Sequence, residues 1–180
     1  MPESHATSKP FPHRWEAHFL VSVWLIIVVA WFWLGASLAG VLGTNYDEAI
    51  FDGMAKDFVA GTVQGHHMPG AGTTMVGDRP FPVWIQPYLG AVKSWQLIPL
   101  FSVFEPTVQL TRISNLAWTL VGVGIFMIWV WRWFGLTEAV WGALLLATDP
   151  GLFFMGMLDW GSFVPSFVCR LAGFLFALYA

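Results

Sequence analysis

The sequence predicts an all-α fold: a multi-pass helical membrane protein with a long extracytoplasmic first loop that carries amphipathic interfacial helices. Hydrophobic residues make up 57% of the 180 residues and charged residues only 11%, whereas a soluble domain carries about 25% charged residues. Twelve Trp and sixteen Phe add an aromatic excess of the kind that favours membrane interfaces. No charged residue occurs from Phe19 to Tyr46, a run long enough to cross a bilayer.

The N-terminal segment predicts the orientation. Residues 1–18 are polar and form the expected cytoplasmic tail, and Lys9 and Arg14 precede a first transmembrane helix at 19–43. Because basic residues mark the cytoplasmic side, the loop at 44–109 is expected outside the cytoplasm. A signal peptide is the alternative, but its apolar core of about 7–15 residues is shorter than this run.

The loop at 44–109 is predicted to hold two interfacial helices. Apolar residues recur at helical spacing over 44–61, and Gly61 is a stop signal. Residues 61–80 are predicted to be loop. Residues 83–104 are apolar enough to span, but a crossing here would place Arg132 outside, so an interfacial or re-entrant helix is favoured.

Residues 110–180 are predicted to form transmembrane helices two to four. The second runs from Leu110 to Trp131, the third is capped by Thr137 and reaches Thr148, and the fourth is the apolar run from residue 162. The third is short for a span, so it either ends at Asp149 below the outer surface or continues past Pro150. Because the chain ends at Ala180 inside an apolar run, we expect it to be the N-terminal part of a longer protein.

The charge and cysteine content argue against several functions. The net charge of −3 suggests no nucleic-acid partner, and the single cysteine, Cys169, cannot form an internal disulfide. No glycine-rich nucleotide motif is present, which argues against a soluble nucleotide-sugar donor.

Asp47 and Glu48 follow directly on the first apolar run and are the main candidate site. A carboxylate at a membrane surface can serve as a general base, since its surroundings raise its pKa. The structural alternative is a helix start, because Asn45-x-x-Glu48 matches a capping box.

Three basic residues of the loop region, Arg79, Lys93 and Arg112, are candidates for binding a phosphate near the bilayer surface. The alternative is that they extend along apolar surface to lipid headgroups. Asp149 and Asp159 are expected on the outer side, where each is either functional or a helix cap. Of the two, Asp159 is predicted to bind substrate together with Arg79, Lys93 and Arg112.

Two further features have no assigned role. Arg170 lies within the fourth apolar run, either as a functional cation or paired with an acid. His66 and His67 are adjacent in the loop, but zinc sites need three or four ligands, so no metal site is predicted.

The order of these features resembles the N-terminal part of bacterial GT-C membrane glycosyltransferases such as protein O-mannosyltransferases and the lipid A aminoarabinose transferase. The resemblance covers roughly residues 20–180. The residues that carry it are Asp47-Glu48, Arg79-Pro80, PYLGAVK at 87–93, Leu110-Thr111-Arg112, WRWFG at 131–135, ALLLATDP at 143–150 and LDWG at 158–161.

The resemblance implies an enzyme of the cell (inner) membrane that uses a polyprenyl-phosphate-linked sugar donor and a lipid, glycan or protein acceptor outside the cytoplasm. It implies Asp47 as the catalytic base and Glu48 as its neighbour, and the fragment alone is expected to be inactive. Any cofactor is unknown, and a requirement for a divalent metal is left open, since His66-His67 is not a family feature.

Two other classes remain open. A transporter or channel would use Asp149, Asp159 and Arg170 to line a polar path and should show an inverted repeat. A membrane scaffold would use the loop to bind a partner. Only the enzyme requires a carboxylate at the end of the first helix.

Overall fold

The computed structural model describes residues 14–62, 71–86, 89–158, 160 and 162–177. This part of the chain is mostly helical, as predicted. It forms seven helices and three strands: α1 (Arg14–Leu38), α2 (Tyr46–Ala60), β1 (Gly72–Val76), β2 (Arg79–Gln86), β3 (Leu89–Gly90), α3 (Val92–Phe101), α4 (Val108–Trp133), α5 (Leu136–Thr148), α6 (Pro150–Leu158) and α7 (Phe163–Ala177).

Helices α1 and α4 are each long and apolar enough to cross a membrane. They match the first two predicted spans, although α1 begins at Arg14 and ends at Leu38, earlier than the predicted 19–43. α4 packs against α1, α5, α6 and α7. It is the centre of the larger apolar core, to which it contributes Leu116, Leu120, Val123, Met127 and Val130.

Helices α5 and α6 together are also long and apolar enough to cross a membrane, but they are bent by 66° with respect to each other. α5 ends at Thr148, as predicted. Pro150 cannot donate a backbone hydrogen bond, and the Gly151 N–H turns to the Asp149 side chain at 2.7 Å. The Ala147 carbonyl, left without its usual helical donor, accepts from the Trp31 indole of α1 at 3.1 Å. The break is therefore supported by a neighbouring helix.

The predicted cap of α5 is wrong. The N-cap is Gly135, whose φ of 125° suits glycine, and it makes no side-chain cap hydrogen bond. Thr137 lies inside the first turn beside Glu138. The tight turn after Phe134 thus decides where the helix begins.

The all-α prediction is wrong at 72–76, 79–86 and 89–90, which form a three-stranded antiparallel sheet in the order β1-β2-β3. Val76 pairs with Arg79 across a two-residue turn in which Gly77 has a φ of 63°, a conformation that two-residue hairpin turns require. The helix predicted over 83–104 is confirmed only as α3, which begins at Val92. At the start of the predicted range, 83–86 and 89–90 belong to strands β2 and β3 instead.

The segment between α1 and α4 folds around α2, which contacts both α3 and β2. The predicted helix over 44–61 is confirmed, and Gly61 is its left-handed C-cap with a φ of 69°. Its apolar residues Ile50, Phe51, Met54 and Ala55 are buried inside the protein. The acids Glu48, Asp52 and Asp57 are buried as well, which the sequence pattern did not indicate.

Candidate functional site

The junction between α1 and α2 begins with a capping box, so the structural alternative raised for the acidic pair is confirmed as local geometry. The Asn45 side chain accepts from the Glu48 N–H at 2.8 Å, and the Glu48 side chain accepts from the Asn45 N–H at 3.0 Å. These bonds fix the first turn of α2, where Asp47 also lies. The backbone at Asp47 is therefore held rigidly.

Glu48 is buried and forms a two-point ion pair with Arg112 of α4. Arg112 Nε donates to Oε1 at 2.8 Å, and Nη2 donates to Oε2 at 2.9 Å. Both side chains are essentially inaccessible to solvent. A buried paired charge of this geometry resists separation, because breaking it would leave the partner charge uncompensated.

Arg112 uses its remaining donors on the turn that follows α1. Nη1 donates to the carbonyls of Ala39 and Leu42 at 2.7 and 2.8 Å, and Nη2 donates to the Gly43 carbonyl at 2.8 Å. A guanidinium has five N–H groups, and all five are satisfied within the protein. Arg112 thus joins α1, α2 and α4 at one point, which no sequence pattern indicated.

Asp47 is half-buried and directly precedes Glu48, the residue that pairs with Arg112. The nearby end of α6 also reaches the junction, since Asn45 Nδ2 donates to the Leu158 carbonyl at 3.4 Å. Asn115 of α4 donates to the Met157 carbonyl at 3.4 Å. Asp159, a predicted substrate-binding residue, follows Leu158 in the chain but lies outside the described residues.

Asp52 lies one turn after Glu48 on the same face of α2 and was not singled out from the sequence. It is 4% exposed, and its Oδ2 accepts from the Thr111 hydroxyl at 2.7 Å. Burial raises the pKa of Asp52 to about 6, against the lowering effects of the Thr111 hydrogen bond and of Lys93 and Lys56. The spacing of four residues from Glu48 is the signal that could have identified a buried acidic stripe.

The other predicted phosphate-binding cations have contacts that differ from those of Arg112. Lys93, near the start of α3, is buried with its Nζ 5.1 Å from the centre of the Phe51 ring. Arg79, at the start of β2, is exposed and donates to the Val59 carbonyl at 3.0 Å. Both residues contact α2, Lys93 from α3 and Arg79 from the sheet.

The remaining candidates lie elsewhere. Asp149 is exposed at the α5–α6 break and accepts from Gly151, which fits the capping alternative. Arg170 is exposed on α7. His66 and His67 lie outside the described residues, and within the described ranges no three metal-ligating side chains cluster.

Comparison with known proteins gives no relative: no protein-family model, no curated protein and no solved structure matches this chain. A functional assignment therefore has to come from the residues and their geometry.

Proposed function

We propose that the protein is a membrane glycosyltransferase that moves a sugar from a polyprenyl-phosphate-linked donor to an acceptor outside the cytoplasm. In this proposal it is a multi-pass protein of the cell (inner) membrane with its N-terminus in the cytoplasm. The observation that carries the proposal is the position of Asp47. Its carboxylate follows a helix long enough to cross the bilayer and sits in a helical turn fixed by the capping box and by Arg112.

Asp47 acts as the general base in this proposal. The acceptor hydroxyl oxygen attacks the anomeric carbon, the bond from that carbon to the phosphate oxygen breaks, and polyprenyl phosphate leaves. Asp47 receives the hydroxyl proton, a contribution that is typically worth about 10²–10⁴-fold in rate. Glu48 is a poor base, because both of its oxygens already accept hydrogen bonds from Arg112.

Arg112 fits a positioning role better than the phosphate-binding role that the sequence suggested. Binding a phosphate would require it to give up at least one of its five hydrogen bonds inside the protein. In the proposal the donor phosphate is bound by Arg79 and the sugar hydroxyls by Asp159. Lys93 is buried against Phe51, so it fits the phosphate role that the sequence suggested less well than Arg79 does. Arg79 is the most accessible of these cations.

A transporter is the second candidate, and the bent pair of α5 and α6 favours it. Broken helices at membrane depth form the substrate sites of many transporters. In this chain, however, the Asp149 carboxylate at the break is used by the Gly151 N–H, and the Ala147 carbonyl is used by Trp31.

The test is sugar transfer by membranes that contain the full-length gene product. The substrate is a polyprenyl-phosphate-linked sugar labelled in the sugar, and the expected result is labelled acceptor together with released polyprenyl phosphate. Movement of the intact labelled donor across the membrane, with no cleavage of the sugar–phosphate bond, would overturn the enzyme proposal in favour of transport.

A further inference from the structure

The pairs Glu48–Arg112 and Asp52–Thr111 are polar contacts between α2 and α4, and they differ in how completely their hydrogen bonds are made. In the pair of Glu48 and Arg112, all five N–H groups of the guanidinium donate hydrogen bonds within the protein. Four residues along α2, Asp52 meets Thr111, the residue that precedes Arg112. Both Asp52 and Thr111 are buried, so neither can use water freely to complete its hydrogen bonds.

The two oxygens of Asp52 are unequal. Oδ2 accepts from the Thr111 hydroxyl at 2.7 Å, whereas Oδ1 has no hydrogen-bond partner among the described residues. A buried oxygen that carries negative charge and has no donor is costly. The carbonyl oxygen of a neutral carboxylic acid tolerates the same surroundings at a much smaller cost.

The neutral acid has a ready hydrogen-bond arrangement. Thr111 Oγ1 also lies 3.4 Å from the Thr107 carbonyl in the preceding turn of α4. When Oδ2 carries the proton, it donates to Thr111 Oγ1, and the Thr111 hydroxyl donates to Thr107. When Asp52 is ionised, the single hydroxyl proton of Thr111 must point to Oδ2 instead.

The charged groups around Asp52 set the balance between the two forms. Lys93 on α3 and Lys56 on α2 favour the ionised form, and Glu48 opposes it. On α4, Arg112 is bound to Glu48, and on β2, Arg79 is bound to the Val59 carbonyl. Burial outweighs these cations and raises the pKa of Asp52 from 3.8 to about 6.

We propose that Asp52 is a positioning residue that holds α2 against α4 as a neutral carboxylic acid and loosens this contact when it ionises. An acid whose folded-state pKa is raised disfavours the folded contact once it is ionised. The contact is therefore strongest below about pH 4, weakens between that pH and 6, and carries its full cost above 6. Any effect on Asp47, at the start of the same helix, rests on the proposed function.

Hydrogen exchange of the α2 amides tests the contact without any assay of transfer. After correction for the intrinsic pH dependence of exchange, protection over residues 46–60 should fall from pH 5 to pH 7.5. The fall over this range is about 10-fold, because a pKa rise from 3.8 to about 6 corresponds to about 100-fold in total and the part below pH 5 has already been lost. Asp52→Asn, which cannot ionise, should remove the pH dependence, and the control Asp78→Asn, at the exposed hairpin turn, should keep it.

A second measurement covers the case in which Asp52→Asn fails to fold. Thr111→Val removes the only donor to Oδ2 among the described residues, so the midpoint of the pH dependence should move to higher pH. The infrared C=O band of a protonated carboxyl group should persist to that higher pH as well. A wild-type protein whose α2 protection and carboxyl band are both constant from pH 5 to 7.5 would overturn the proposal, whatever the outcome of the transfer assay.

Discussion

Glu48 and Arg112 are separated by 64 residues in the chain and are joined by two hydrogen bonds of 2.8 and 2.9 Å in a site closed to solvent. The same guanidinium donates to three carbonyls in the turn that follows α1. One side chain therefore sets the angle at which α2 leaves α1, and with it the position of Asp47.

Removing Arg112 should destabilise the protein strongly. Arg112→Met leaves a buried Glu48 carboxylate without its cation, and we expect a loss of about 3–5 kcal/mol in the free energy of unfolding. Denaturant unfolding in detergent would measure it. The double variant Glu48→Met/Arg112→Met should lose less than the sum of the two single changes, and a strictly additive result would contradict the pairing.

Replacing Asp47 should lower the rate of sugar transfer without changing the stability of the fold. Asp47→Asn should lower transfer from a polyprenyl-phosphate sugar by about 10²–10⁴-fold, because the amide cannot accept the proton, while the thermal midpoint stays almost unchanged. The matched control is Asp78→Asn, which makes the same chemical change at an exposed turn. Near-normal turnover by Asp47→Asn would leave the acidic pair as a helix start only.

The proposed topology predicts that the segment between α1 and α4 faces away from the cytoplasm. In a Cys169→Ser background, a cysteine at the exposed position Thr74 on β1 should react with a membrane-impermeant reagent in intact cells. A reporter fused after Glu105 should also read as external. Labelling only after the membrane is opened would reverse the orientation.

The contact between Trp31 and the α5–α6 break should contribute measurably to stability. Trp31→Phe leaves the Ala147 carbonyl without its donor, at a cost of about 1–3 kcal/mol. Trp33→Phe makes the same change on a side chain that is 74% exposed and should cost within about 0.5 kcal/mol. Equal losses for the two variants would show that the hydrogen bond contributes nothing.

Hydropathy and local signals predicted much of the fold. The uncharged runs located α1 and α4, and Gly61 marked the end of α2, because these features depend only on neighbouring residues. The hairpin at Gly77-Asp78 was also readable, since a glycine followed by Asp between two apolar stretches is a turn signal. The sequence analysis instead assigns 61–80 to loop because of its Gly and Pro content, and it assigns 83–104 to a helix because of its apolar content, without a clear period.

The candidate site was only partly predictable. Asp47 and Glu48 were identified from their place after the first apolar run, and the capping box from its spacing. The burial of Asp52 depends on Thr111 and that of Glu48 on Arg112, both of them far away in the sequence. A single sequence without paired substitutions contains no sign of such long-range partners, so the burial of Glu48 and Asp52 could not be predicted.

The distance in sequence between Glu48 and Arg112 also bears on how the protein is made. Synthesis runs from the N-terminus, so α2 and the sheet are complete as a chain before the ribosome reaches the cation that neutralises Glu48. Until Arg112 has been synthesised, the three carbonyls after α1 and the Glu48 carboxylate lack the donors that satisfy them in the folded protein. The contact of α2 with Arg112 therefore forms only after that point, and we expect nascent chains that end earlier to leave Glu48 open to water.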